Sequence, residues 1–277
     1  MKEHLRHERL LATLRFNQAL STGTAVHKGL ETRSIEAALK TFEGYYPNDQ
    51  EDANKLEIAM SSTEAMLEGY FERYPPFEHM DAEIQFELPV IMPGGRKSRK
   101  HKIAGKIDGI AVVDGQQWIV EYKTASMIGK GYYEKLIIDS QISMYMYAAR
   151  RLGYKPVGVI YRVLRKPSLK RSEKKGESVI QFTKRIAETI KAEPEKYFEE
   201  RQIYRSSADL AAFEKELWEQ IKLYDAQHKR RENFRHTGNC KGFGMCEYLP
   251  LCTNESGWEA LYVARMPNEE LETEEEN

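Results

Sequence analysis

The clearest pattern in the chain is a series of three strand-like segments that are separated by turns. Residues 82–92 (AEIQFELPVIM) alternate between apolar and polar positions, residues 103–113 (IAGKIDGIAVV) form the next apolar-rich segment, and residues 118–124 (WIVEYKT) open with three apolar positions. A period of two is typical of β-strands. The basic turn PGGRKSRKHK separates the first two segments, and the tight turn DGQQ at 114–117 separates the second from the third. The pattern therefore predicts an antiparallel meander of three strands.

Helical periodicity flanks this meander. Upstream, residues 22–42 and 51–73 carry apolar side chains at helical spacing, and the YPPF sequence that follows ends the second helix because proline cannot continue it. The apolar segment 156–164 (PVGVIYRVL) predicts a fourth strand, which is reached through a helix and is therefore parallel to a neighbouring strand. Further helices are predicted at 134–152, 181–192 and 207–231.

This order of elements predicts an α/β (mixed α+β) fold, with a central mixed sheet flanked by helices. Neither an internal repeat nor a long Gly/Ser linker interrupts the chain, which favours one domain over residues 1–258. The acidic residues 266–277 are predicted to be disordered. Within the domain we expect a core at about 22–165, a helical C-terminal extension at 181–235 and a cysteine segment at 236–253.

Composition narrows the class of protein. No apolar run approaches the roughly 20 residues that cross a bilayer, and the charged start of the chain lacks the apolar core of an export signal. Three cysteines in 277 residues do not make a disulfide framework. We therefore expect a cytoplasmic protein without a membrane partner.

Charge is distributed unevenly along the chain. The formal net charge is −1, but the last ten residues hold six glutamates, and the remainder has 42 basic and 37 acidic residues. The cations cluster in a first basic run (94–102) and a second basic run (161–175). Such runs are either solvated loops or a surface for a polyanion such as nucleic acid.

Candidate chemistry lies at the end of the third strand. Glu121 and Lys123 are two positions apart, so they point to the same face of the sheet. In isolation such a pair is a salt-bridged strand edge, but hairpin pairing brings Asp108 near Glu121. Two adjacent carboxylates repel each other unless a cation lies between them, and oxygen ligands suit Mg²⁺ or Mn²⁺. With a lysine beside them, they form a device for phosphodiester cleavage.

At these residues the sequence resembles the PD-(D/E)XK nuclease superfamily, most closely its RecB-type branch of recombination, phage and CRISPR adaptation nucleases. Four motifs occur in the order of that branch over residues 23–149, and the resemblance continues more loosely to about residue 253. Ile107 departs from the superfamily pattern, which has proline there. The motifs are G-x-x-x-H at Gly23 and His27, the aspartate at Asp108, E-x-K at Glu121 and Lys123, and Q-x-x-x-Y at Gln141 and Tyr145.

The resemblance implies a restriction-endonuclease-like core and assigns roles to these residues. It implies that one or two Mg²⁺ or Mn²⁺ ions are held by His27, Asp108, Glu121 and the backbone carbonyl of Tyr122. It also implies that Lys123 orients the attacking water, that Gln141 steadies the metal site or the lysine, and that Tyr145 touches the DNA backbone. Without the resemblance, His27 is a structural histidine, and the residues of the Q-x-x-x-Y motif form a polar stripe on one helix face.

The three cysteines lie within thirteen residues, at Cys240, Cys246 and Cys252. Buried thiols are one interpretation and a metal site is the other. In many RecB-type nucleases three such cysteines join an N-terminal cysteine on a [4Fe–4S] cluster. Here that cysteine would fall near or before Met1, so either the start is truncated or the cluster is lost or altered. His236 completes an alternative Cys₃His zinc site.

The leading hypothesis is a metal-dependent DNA nuclease, and an exonuclease acting on DNA ends or single strands, in recombination, repair or phage DNA processing. The alternative is a cleavage-incompetent DNA-binding or scaffold subunit of a recombination complex. A third possibility is a nuclease that works beside a helicase or an annealing protein. The chain has no G-x-x-x-x-G-K-[ST] phosphate loop, so ATP-driven unwinding would come from such a partner.

Overall fold

The computed structural model describes residues 10–14, 16–172, 174, 176–230, 240 and 246–266. The chain divides into two compact units. The larger unit comprises Phe16–Pro89 and Lys102–Lys215, and the smaller unit comprises Met1–Arg15, Val90–His101 and Glu216–Asn277. In the part of the chain that is described, no helix is both long enough and apolar enough to span a membrane.

A five-stranded mixed sheet forms the centre of the fold, in the order β2-β3-β4-β5-β6. Strand β3 is antiparallel to β4, β4 is parallel to β5, and β5 is antiparallel to β6. The predicted α/β class, the hairpin and the parallel fourth strand are therefore confirmed. The strands are β2 (Met80–Ile91), β3 (Lys97–Val113), β4 (Gln116–Ala125), β5 (Gly158–Arg165) and β6 (Phe198–Ile203).

The hairpin between β3 and β4 turns on two residues. Asp114 and Gly115 have φ angles of 50° and 74°, which is the left-handed backbone of a type I′ hairpin turn. Pairing already begins at Val113 and Gln116, so the predicted four-residue turn is shorter than expected. This tight turn fixes the register that places the later residues of β3 and β4 opposite each other.

Seven helices of the described residues surround or follow this sheet. Helix α3 begins after the cap Asp49, whose carboxylate accepts the amide of Asp52, and it ends at Tyr74 before the two prolines. Helix α6 has a full capping box formed by Ser178 and Gln181. The helices are α1 (Gln18–Thr32), α2 (Ile35–Lys40), α3 (Gln50–Arg73), α4 (Lys130–Glu134), α5 (Ser140–Arg151), α6 (Val179–Ala192) and α7 (Ser207–Arg230).

Two helices that were predicted as continuous are broken in the structure. The segment predicted at 22–42 stops at Arg33, whose φ of 49° is left-handed, and Ser34 caps a second helix. The first of these helices begins at Gln18 with Asn17 as its cap, earlier than predicted. The segment predicted at 134–152 is broken before Asp139, which caps α5 with its carboxylate. Local capping therefore overrides a hydrophobic period that continues through both breaks.

The main core lies between one face of the sheet and helices α1, α3 and α6. Val26 of α1, Leu67 of α3 and Ile186 of α6 are fully buried there, together with Val120 of β4 and Leu164 of β5. Side chains alternate along a strand. The odd-numbered residues of β4 and β5, such as Glu121, therefore point to the opposite face of the sheet. Helices α4 and α5 come after β4 in the chain.

Strand β6 was not predicted. Half of its sequence, FEERQI, is charged, and only Phe198 is buried. It pairs with β5 alone, at the edge of the sheet. A short edge strand with polar side chains carries little of the alternation that identifies a strand.

The smaller unit contains a two-stranded sheet in which β1 (Leu11–Thr13) is antiparallel to β7 (Tyr262–Ala264). The rings of Tyr248 and Tyr262 stack with centroids 5.6 Å apart, and the Tyr248 hydroxyl donates a hydrogen bond to the carbonyl of Leu11. Helix α8 (Leu249–Thr253) follows Tyr248.

The basic turn predicted between the first two strands of the large sheet is shorter than expected, because β3 already begins at Lys97.

Two glycines of α1 are expected to respond oppositely to replacement by alanine. A Cβ at Gly29 would overlap the Cδ1 atom of Leu67 and lie 3.0 Å from Ala38 Cβ. We therefore expect Gly29→Ala to lower the free energy of unfolding by about 1–3 kcal/mol. A Cβ at Gly23 meets only Thr124 Oγ1, at 3.5 Å, so Gly23→Ala should raise it by about 0.5–1 kcal/mol. Urea unfolding of both variants checks this, and a stable Gly29→Ala protein would contradict the packing of α1.

Candidate active site

The predicted site residues come from four elements of the larger unit. His27 lies on α1, Asp108 lies on β3, and Glu121 and Lys123 lie on β4. Gln141 and Tyr145 of α5 complete the set. These elements meet where β3 and β4 part, so residues from both faces of the sheet reach one place.

The parting of β3 and β4 begins at Asp108. Paired register runs from the turn to Gly109 and Val120 and ends there. Two residues beyond Val120, the N–H of Tyr122 donates to Asp108 Oδ2 at 2.8 Å. The aspartate side chain thus takes the place of a backbone acceptor. Its other oxygen, Oδ1, lies 3.5 Å from His27 Nδ1.

Glu121 is a buried carboxylate with few partners. Its side chain is 2% exposed, and neither carboxylate oxygen accepts a hydrogen bond from a described residue. Lys123 Nζ contacts Glu121 Oε1 as an ion pair. Burial, and then the charge of Asp108, raise the pKa of Glu121 to about 7. A second positive charge near this carboxylate would relieve both effects.

The neighbouring charges are mutually adjusted. Burial would lower the pKa of His27, but the Asp108 carboxylate outweighs burial and raises it. Burial would likewise raise the pKa of Asp108, but His27 and the Tyr122 amide hold it below its usual value. Lys123 has a raised pKa because Glu121 outweighs the effect of burial. Lys123 is therefore a positively charged ammonium beside two acids.

Helix α5 presents a hydrogen-bonded pair toward this site. Gln141 Nε2 donates to the Tyr145 hydroxyl oxygen at 2.9 Å, and the Asp139 cap accepts the Gln141 amide. Burial, and then the charge of Glu121, raise the pKa of Tyr145. Tyr145 therefore keeps its proton and can act as a hydrogen-bond donor.

Two tyrosines that the sequence did not single out lie on the same face. Tyr161 of β5 is in register with Glu121, and its hydroxyl lies 3.2 Å from that of Tyr132 in α4. Burial raises the pKa of Tyr161, and Lys123 is among the charges that act on Tyr132. The two hydroxyls therefore lie on the side of the sheet that carries Glu121 and Lys123. Their positions depend on strand pairing, and no local pattern indicates them.

Arg162 corrects the picture of the second basic run as a solvated loop. It lies inside β5, is 8% exposed, and donates hydrogen bonds to Tyr70 Oη at 2.6 Å and to Glu200 at 2.8 Å. Its guanidinium also lies 4.3 Å from the Tyr74 ring centroid. Together with His27 and Asp108 it lines a cleft of about 180 Å³. An arginine in an otherwise apolar strand was the available signal for this buried cation.

A second missed residue, Arg205, supports the start of α5. Its guanidinium donates to the Leu136 carbonyl at 2.7 Å, to the Asp139 carbonyl at 3.2 Å and to Ser143 Oγ at 2.9 Å. Arg205 is buried, at 7% exposure. It therefore fixes the turn that sets the direction of Gln141, and it does so from a position remote in sequence.

The donor set fits a divalent cation, although the described residues contain no group of three or more His, Cys, Asp or Glu side chains already arranged around a metal position. The buried oxygens of Glu121 accept no hydrogen bond from these residues, and Asp108 and His27 lie nearby. Carboxylate oxygens are the preferred ligands of Mg²⁺ and Mn²⁺. Lys123 supplies the positive charge at Glu121 in this structure.

The cysteine segment does not show a metal site among the residues that can be described. The Cys246 amide donates to the Cys240 carbonyl at 2.9 Å, and the Cys252 amide donates to the Tyr248 carbonyl. These backbone bonds fold the segment, but the three thiols do not form a metal-binding group there. His236, the predicted zinc ligand, lies outside the described residues, as do residues 267–277 of the predicted tail. The predicted [4Fe–4S] or zinc site therefore lacks support.

A sequence profile of the PD-(D/E)XK nuclease superfamily matches residues 2–253. No curated protein matches the chain. Among solved structures, the chain is similar to the crystal structure of SSO0001, at 13% identity and a TM-score of 0.34, with 73% of each chain covered. It is also similar to protein VC1899 from Vibrio cholerae, at 14% identity and a TM-score of 0.20, with 63% of this chain and 53% of that chain covered. Similarities at these TM-scores do not establish a shared fold or function.

Proposed function

Because the chain belongs to the PD-(D/E)XK nuclease superfamily, we propose that it is a Mg²⁺- or Mn²⁺-dependent deoxyribonuclease of the RecB type and acts as an exonuclease. One observation carries the assignment of the site. The buried carboxylate of Glu121, whose oxygens accept no hydrogen bond from described residues, lies beside Asp108 and Lys123. Buried carboxylates with a raised pKa and a charged partner cluster at catalytic sites.

We assign the metal to His27, Asp108, Glu121 and the backbone carbonyl of Tyr122. When bound, a divalent cation supplies positive charge for the phosphate and acidity for a water molecule. Asp108 is held in its ionised form by His27 and the Tyr122 amide, so it is ready to bind a cation. Glu121 provides the second carboxylate from the neighbouring strand.

The remaining residues act on the substrate. The ammonium of Lys123 is positioned to donate hydrogen bonds to the attacking water and to the phosphoryl oxygens, where negative charge develops. Tyr145 stays protonated and donates its hydroxyl hydrogen to the nucleic-acid backbone. Gln141 orients that hydroxyl through its own donated hydrogen bond. Cleavage with these groups would leave a 5′-phosphate.

The finer assignment concerns substrate and setting. We propose DNA ends or single strands as the substrate, in recombination, repair or phage DNA processing, with a helicase or an annealing protein as a partner in trans. A cytoplasmic location remains a prediction. The cleavage-incompetent alternative is less consistent with this chain, because a scaffold would not need a lysine and two carboxylates held together at an energetic cost. The cysteine segment has no role in the proposed reaction.

Cleavage of end-labelled DNA is the direct test of this function. Single-stranded and blunt double-stranded DNA should be shortened with Mg²⁺ or Mn²⁺ and remain intact in EDTA. Closed circular DNA should resist cleavage, because an exonuclease needs an end. Cutting of the circle would overturn the exonuclease assignment, and cutting that persists in EDTA would overturn the metal-dependent mechanism.

A further inference from the structure

The two basic runs differ in how their cations are paired. In the first basic run, Lys100 and His101 both contact Asp225 in the smaller unit. Lys102 contacts Glu87. Two of the five lysines and arginines in this run, Lys100 and Lys102, therefore already have a carboxylate partner. A paired cation gains less from a phosphate, because binding the phosphate means giving up its present partner.

The second basic run contains two half-buried cations without such partners. Arg162 is paired with Glu200, but Arg165 and Lys166 have no carboxylate within ion-pair distance among the residues that the structure describes. Lys166 Nζ donates only to the neutral Ala19 carbonyl, at 2.7 Å. Both side chains are half-buried, and burial lowers the pKa of Lys166 with no acid to oppose it. Burying part of a cation without a counter-charge costs free energy, and an anionic ligand that pairs with the cation offsets this cost.

These two cations lie at the carboxyl end of β5, next to the candidate active site. Arg165 is in register with Ala125, and the Lys166 amide donates to the Ala125 carbonyl at 2.8 Å. Ala125 follows Lys123 by two residues, or roughly 7 Å of strand. Alternation puts Arg165 on the face of Glu121 and Lys123, whereas Lys166 reaches α1 on the other face. The pair thus brackets the carboxyl ends of the parallel strands β4 and β5, where ligands of α/β sheets bind.

We propose that Arg165 and Lys166 bind backbone phosphates of the nucleic-acid substrate, so that the substrate runs across the carboxyl ends of β4 and β5. That the ligand is a nucleic acid rests on the proposed function. The new inference is the path that this ligand takes across the protein, past Arg165 and Lys166. Arg165 offers a fork of donors to one phosphate, and Lys166 acts as a point charge for another.

The salt dependence of binding tests the path. The variant Arg165→Gln, Lys166→Gln keeps polar side chains with amide donors but removes both charges. Binding of a fluorescent single-stranded DNA is measured by anisotropy in EDTA over a series of salt concentrations. Each phosphate contact to a single strand contributes about 0.7 to the slope of log K against log salt. We expect the slope to become smaller by about 1.4 and the Kd to rise on the order of tenfold at moderate salt.

A charge-matched control separates this path from a general loss of charge. Lys184 and Lys191 are exposed on α6 and pair with Glu188 and Glu72. The variant Lys184→Ala, Lys191→Ala loses the same two charges and should keep the slope of the parent. An equal fall in the control, or an unchanged slope in the Gln variant, would overturn the proposal. If the double variant unfolds early in a thermal melt, Arg165→Gln alone should lower the slope by about 0.7.

Two further arms define the ligand and separate this proposal from the proposed function. RNA of the same sequence should lose affinity as DNA does, since both present the same phosphates; a loss with RNA alone would overturn DNA as the strand. Hydrolysis of bis(p-nitrophenyl) phosphate, which is too small to reach Arg165, should be unchanged in the Gln variant. A changed slope without any cleavage by the parent refutes only the nuclease assignment, whereas cleavage with an unchanged slope refutes only the path.

Discussion

Asp108→Asn and Lys123→Ala are expected to lower the rate of DNA cleavage by about 10²–10³-fold while leaving the protein folded. The asparagine keeps an oxygen that can accept the Tyr122 amide, which donates to Asp108 Oδ2, so it removes the charge and little else. Loss of a metal carboxylate removes several kcal/mol of charge stabilisation, or roughly 10³-fold in rate. Loss of the lysine donor is expected to cost about 10²–10³-fold. Initial rates on labelled DNA with Mn²⁺ measure both effects.

The alanine at position 108 is the less informative change, because it would leave the Tyr122 amide without an acceptor and cost about 1–3 kcal/mol of stability. A control for Lys123→Ala is Lys191→Ala, which breaks an exposed pair with Glu72 and should cleave DNA at the parental rate. Thermal melts establish that each variant is folded. Metal-dependent cleavage by folded Asp108→Asn at a rate near that of the parent would refute the assignment of this site.

The sheet and the order of the candidate residues could be predicted from the sequence because both depend on local patterns. Two strand-like apolar segments joined by a tight turn at Asp114 and Gly115 specify a hairpin and its register. That register brings Asp108 and Glu121 to neighbouring positions. The parallel placement of β5 follows from the intervening helices. Such inferences need only the period of the side chains and the length of a connection.

The environment of the site could not be predicted in the same way. Tyr161 and Arg165 face the site side because β5 pairs with β4 in one particular register. Arg205 supports α5 from more than sixty residues away in the chain. The break before Asp139 separates α4 from α5, where the hydrophobic period alone predicts one helix. These features arise from nonlocal strand pairing and from helix capping. Neither produces a repeating pattern of apolar positions in the sequence, so periodicity does not reveal them.

Glu121→Gln is expected to remove the response of protein stability to divalent metal. A cation that binds only the folded state stabilises it by about 2.7 kcal/mol at a concentration of 100 times its Kd. For a chain of this size the parent should show a rise in Tm on the order of 5–10 °C. The glutamine removes one of the two carboxylates and should lose most of this rise. Differential scanning calorimetry in EDTA, Mg²⁺ and Mn²⁺ measures it without any cleavage.

The behaviour in EDTA distinguishes loss of the metal site from loss of the fold. Glu121 is buried beside Asp108, and this repulsion contributes to its raised pKa; the neutral glutamine removes it, while Asp108 still attracts Lys123. We therefore expect Glu121→Gln to be at least as stable as the parent without metal. Glu72→Gln, an exposed carboxylate on α3, is the matched control and should keep the full metal response. If Glu121→Gln keeps that response too, then Glu121 is not a metal ligand and the lysine beside it serves only as its ion-pair partner.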